Sequence, residues 1–80
     1  MTYKFDKVQL ANQLEAMQLA VNDGNRIDCI QTIVSHLRGG RVSQAINTYV
    51  NVYERIARYD SIRDVLDGVW HTHNPKLGCH

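Results

Sequence analysis

The chain has 80 residues, 44% of them hydrophobic, with nine Lys+Arg against eight Asp+Glu for a net charge of +1. That is one domain's worth of chain, and it buries only about 60–65% of its unfolded surface, too little for a deep enclosed active site. The composition excludes a disordered tail, the charge balance alone calls for no polyanion partner, and the apolar runs are too short to span a bilayer.

The first helix is expected after Asp6, which can cap it, with Gln9 in the capping-box position and Phe5 placed to staple onto Leu10. Leu10, Leu14, Met17 and Val21 form its apolar stripe. Asp23-Gly24 stops it, and Asn25 can cap a second helix whose buried face is Ile27, Ile30, Ile33, Val34 and Leu37. Gly39-Gly40 ends that one, with Arg38 in the last turn, where a cation complements the helix dipole.

Ser43 can cap the third helix, unless Val42 already lies inside it. Its stripe is Val42, Ile46, Tyr49, Tyr53 and Ile56, spaced four, three, four, three. The stretch from Thr48 to Tyr53 has high β-propensity, but the longer helical period outweighs it. A fourth helix opens at Asp60 or Ser61 and carries Ile62, Val65, Leu66, Val69 and Trp70. Gly68 weakens it by roughly 1 kcal/mol relative to alanine, so its end is expected to fray or to depend on tertiary contacts.

Four such stripes predict an all-α fold, a compact bundle of three to four short antiparallel helices. It occupies residues 1–72 as a single domain, with a polar tail over residues 73–80. Its core is thin, and small domains of this kind often gain stability by pairing with a copy or a partner.

Opposite the third stripe, Gln44, Thr48, Asn51, Arg55 and Arg58 recur at four, three, four, three and form a continuous polar face. Such a face suits phosphates and base edges, although every amphipathic helix also has a solvated side. Around the glycine pair, Gly40-Arg41-Val42-Ser43-Gln44-Ala45-Ile46-Asn47 resembles the turn and recognition helix of phage repressors of the Cro type, over about eight residues. That motif takes a small residue four positions before the turn glycine and an apolar one just after it. With Gly40 as the turn glycine, those places hold His36 and Arg41; with Gly39, Ser35 fits but Gly40 does not. The resemblance implies a DNA-binding regulator using residues 41–58, with Arg41, Gln44, Thr48, Asn51, Arg55 and Arg58 on the nucleic acid.

The last ten residues hold His71, His73, Cys79 and His80, ligand types that zinc prefers. Their spacing matches no closed four-ligand pattern, so no metal site and no cofactor are expected. Cys29 and His36 stand about 10.5 Å apart along the second helix, too far to share an ion. Asp60, Asp64 and Asp67 could share a side of the fourth helix, but acids gather at helix starts for electrostatic reasons. His36 has no nucleophile identifiable beside it, and Gly39-Gly40 lacks the lysine and spacing of a P-loop. No catalytic residues are assigned, and the protein is read as a non-enzyme.

The remaining accessory residues fit a contact surface. Val8 and Leu19 fall away from the main stripe of the first helix, while Tyr59 and Trp70 lie at segment ends. The expectation is a small protein-binding module that inhibits or modulates a partner protein, or works as an oligomer. Its size is in the style of phage and mobile-element accessory proteins, an analogy only. No secretory signal is read at the start, and Cys29 and Cys79 are expected as free thiols in the cytoplasm, with no membrane association.

Overall fold

The computed structural model describes the backbone of residues 6–73 and the side chains of residues 6–71. Among the described residues five helices succeed one another: α1 (Lys7–Val21), α2 (Asp28–Arg38), α3 (Val42–Asn51), α4 (Tyr53–Ile56) and α5 (Asp60–His73). Among the described residues there is no strand, so the all-α bundle holds. Nor is any described helix long and apolar enough to cross a membrane. The capping-box staple from Phe5 and the tail from Asn74 onward lie outside the described residues.

α1 starts where the sequence asks it to. The Asp6 carboxylate accepts from the backbone N–H of Val8 at 2.8 Å and of Gln9 at 3.2 Å, satisfying two of the orphan donors of the first turn. Its inward face, however, is Leu10, Ala11, Leu14 and Gln18. Met17 only packs against the edge of the core, and Val21 is 45% exposed. The reason is the level at which α2 begins. Ile27, just before α2, is tied to Gln18, so Val21 sits about 4.5 Å further along α1 and overhangs its neighbour.

Gln18 is fully buried and fully used. Its Oε1 accepts the Ile27 N–H at 2.6 Å, and its Nε2 donates to Gln31 Oε1 at 2.8 Å and to Glu15 Oε2 at 3.3 Å. Glu15 in turn meets Arg26 at 2.8 Å and Arg38 at 3.4 Å, and Arg38 also donates to Asn12. The α1–α2 seam is therefore apolar at its centre and polar along one edge. Exposed ion pairs of this kind contribute about 0.2–1 kcal/mol each, so the buried amide matters more than the charges around it.

The α1–α2 and α2–α3 turns close by different residues in the left-handed region. After α1, Asp23 (φ 54°) and Gly24 (φ 84°) let the Gly24 N–H reach the Leu19 carbonyl at 2.7 Å. After α2, Gly40 (φ 78°) allows the Arg41 N–H to reach His36 O and its own N–H to reach Leu37 O, a complete Schellman stop. Gly39 has an ordinary φ of −85°, and a Cβ there would meet only the guanidinium of the exposed Arg41, which can swing aside, so this position does not require glycine.

α2 buries Cys29, Ile30, Ile33, Val34 and Leu37, with Ile27 packed at the edge; its helix begins at Asp28, two residues later than a cap at Asn25 implies. α3 starts at Val42, so Val42 is inside the helix and Ser43 is not its cap. The single third helix expected to run on to Arg58 is instead two, broken at Val52 (φ −111°, ψ 21°). The break lies within the β-prone stretch Thr48–Tyr53, whose β-branched side chains lose rotamer freedom in a helix. Beyond it the side chains face differently: Tyr53 is 42% exposed, and Ile56 returns to the core. α5 opens at Asp60, closes the bundle with Ile62, Leu66 and Val69, and continues through Gly68.

These contacts generate two expectations for stability. Gln18→Ala strands the Ile27 N–H and should cost about 1–3 kcal/mol in urea unfolding, whereas Val21→Ala should stay within about 0.5 kcal/mol. Gly40→Ala should cost about 1–2 kcal/mol by forcing a side chain into the left-handed region.

Candidate functional site

The break at Val52 creates the surface relief of the molecule. Val50, Asn51, Val52, Tyr53, Glu54 and Arg55 line an open concavity of about 550 Å³. Two of its side chains are large, apolar and exposed, Val50 at 52% and Tyr53 at 42%. The Tyr53 ring meets the buried Tyr49 ring edge-on at 5.6 Å, so its position is set from below by the core. A shallower depression of about 410 Å³ runs over Asp28, Gln31, Thr32, Ser35 and His36. A third, of about 230 Å³, lies between the start of α2 and the α4–α5 connection, lined by Ile27, Asp28, Cys29, Arg55, Arg58 and Tyr59.

The residues expected on a nucleic acid are divided by the break at Val52, although Asn51 and Arg55 line the same concavity. Gln44 and Asn51 are exposed on α3, and Thr48 is half-buried between them. Arg41 precedes α3 and is turned back, its Nε donating to His36 Nδ1 at 3.1 Å and its Nη2 to the Ser35 carbonyl at 3.3 Å. Arg55 and Arg58 lie beyond the break and line the depression against α2. The departures His36 and Arg41 from the repressor pattern thus bond to each other in the turn.

Of the residues expected on a protein partner, Val8 is 54% exposed near the start of α1. Leu19 is half-buried on the same side of α1, about 16.5 Å further along the axis. Between them Asn12 and Glu15 are tied to Arg38 and Arg26. Tyr59 and Trp70 are half-buried and pack against the core, and Trp70 meets the His71 ring edge-on at 5.2 Å. Val50 and Tyr53 had no place in that set. Tyr53 looked like a core residue on an unbroken third stripe, and Val50 carried only the β-propensity signal.

The acidic side chains of α5 have structural partners. Asp60 and Asp64 each meet Arg63 at 3.3 Å, and Asp67 accepts a hydrogen bond from the Tyr49 hydroxyl. Among the described residues no three His, Cys, Asp or Glu side chains come together as a metal site. Burial, and then the bond to Asp67, push the Tyr49 phenol well above its ordinary value.

Comparison of the chain with protein-family models, with curated proteins and with solved structures finds no match.

The Tyr49–Asp67 contact ties α3 to α5, and it yields a pH dependence with a definite sign. Because the folded state holds the phenol protonated, this contribution is present in full below about pH 10, the ordinary tyrosine value, and is lost as pH rises above it. Tyr49→Phe should cost about 1–3 kcal/mol at neutral pH and flatten the fall in stability measured as pH rises above about 10.

Proposed function

We propose that the protein is a non-enzymatic docking module that binds another protein through the concavity at the α3–α4 break and modulates it. One observation carries this reading: Val50 and Tyr53, both large and apolar, stand exposed on the same concave surface. Burying a side chain of that size is worth about 1.5–3 kcal/mol, and the pair would anchor a contact that the bundle alone leaves unmade. Glu54 and Arg55 at the margin provide the polar rim that such contacts have. Val8, Leu19, Tyr59 and Trp70 remain accessory contacts in this reading. The small size and the buried free thiol of Cys29 support an accessory protein, of phage or mobile-element style, working in a reducing cytoplasm.

A second reading has its own observation. α2, the three residues 39–41 and α3 form a helix, a tight turn and a helix, with Gln44 and Asn51 exposed on the second. DNA binding by that unit would draw on Arg55 and Arg58 for phosphates, since Arg41 is folded back onto His36.

The test is retention of partners by the tagged full chain, wild type against Val50→Asp/Tyr53→Ala, with light scattering for self-association. The docking reading predicts one specific protein, or a second copy, held at moderate salt by the wild type and lost at least tenfold in the variant. Equal retention by both would overturn it. Retention of duplex DNA that falls steeply with salt and disappears in Arg55→Gln/Arg58→Gln would establish the second reading instead.

A further inference from the structure

The third depression pairs Arg55, shared with the docking rim, with Arg58, which the docking reading leaves unused. Arg55 and Arg58 are three residues apart on the α4 side and line the same 230 Å³ space, with Tyr59 next to them. Neither arginine forms an ion pair or hydrogen bond with any described residue, although Arg26, Arg38, Arg41 and Arg63 all do. Two like charges held on one small cavity repel, and that cost is relieved by an anion between them. Asp28 lines the same space, yet its carboxylate pairs with neither guanidinium. A carboxylate already at hand has therefore not satisfied the pair.

From this cavity and its two unpaired guanidiniums we infer that it is a binding site for a phosphate monoester. Charge and donor number select that group. A monoester is close to a dianion above its second pKa of about 6, matching two guanidiniums, and its three terminal oxygens accept from two forked donors at once. A carboxylate is filled by one guanidinium, and a phosphodiester carries a single charge. The space is smaller than the about 300–1,000 Å³ of pockets enclosing drug-sized ligands, so it takes the phosphate group and leaves the rest of the molecule outside. The opposite wall includes Asp28 and Cys29 in the first turn of α2, whose N–H groups have no intrahelical acceptor and no capping side chain. The half-charge of the α2 N-terminus also offsets Asp28. The site shares Arg55 with the rim of the Val50–Tyr53 concavity, but its argument does not rest on the docking reading.

Titration of the ¹⁵N-labelled full chain with phenyl phosphate, monitored by amide and arginine Nε shifts, tests the assignment. Saturable shifts are expected at Asp28, Cys29, Arg55 and Arg58, with affinity at least tenfold lower for benzoate and for dimethyl phosphate. Arg55→Gln/Arg58→Gln should lower the phenyl phosphate affinity at least tenfold, and both side chains are exposed, so the fold should survive by circular dichroism. Shifts that never saturate, that are equal for the diester, or that persist in a folded double variant would overturn the site. Should that variant unfold, Arg58→Lys replaces it: keeping the charge but losing the fork, it should weaken binding several-fold, and unchanged affinity would be contradictory.

Discussion

The amide of Gln18 is the constraint on which the rest of the bundle depends. A primary amide taken wholly out of water costs several kcal/mol unless its donors and acceptor are used, and here they are used on the neighbouring helix. Leucines slide past one another with little penalty, but a hydrogen bond to one particular N–H fixes the level at which two helices meet. Gln18 therefore sets where α2 begins relative to α1. It also determines which donors are consumed: the Ile27 N–H is spent inside the seam, and the next three along α2 are left open. The level of α2 in turn decides what faces Arg55 and Arg58 on the other side.

How much of this was legible in the sequence differs helix by helix, for physical reasons. α2 was nearly complete in its stripe, because all its buried residues are apolar and its stop is a glycine in a left-handed turn. α1 was legible as a helix and misleading as a face. Gln18 falls four residues after Leu14 and eight after Leu10, so its place on the inward line could have been noticed, but only a partner such as the Ile27 N–H makes a buried amide acceptable. Val21 satisfies the periodicity and lies beyond the end of the neighbour that would cover it. Periodicity describes a helix in isolation; coverage depends on where the next helix stops.

The third helix shows two signals in conflict. Apolar spacing from Val42 to Ile56 argued for one long helix, and the β-branched run through Val50 and Val52 argued against it. Both were right over part of the chain. α3 and α4 each keep the helical period, and the break falls within the run that disfavours it. The straight polar face expected from Gln44 to Arg58 is interrupted by that break, and the concavity and the depression beside α2 lie around it. Tyr53 is exposed because the facing changes at Val52, and Arg55 and Arg58 line the space beside α2 beyond the same break. A candidate site made by a helix break cannot be read from residue spacing on an unbroken one.

Native-state hydrogen exchange at the start of α2 tests the role of Gln18 most directly, because it resolves neighbouring amides separately. The Ile27 amide, bonded inside the seam, should exchange only with opening of the α1–α2 pair, orders of magnitude slower than the amides of Asp28 and Cys29, which donate to no acceptor. An Ile27 amide that exchanges as fast as those two would contradict the account, since the two helices would then meet without the bond that sets their register.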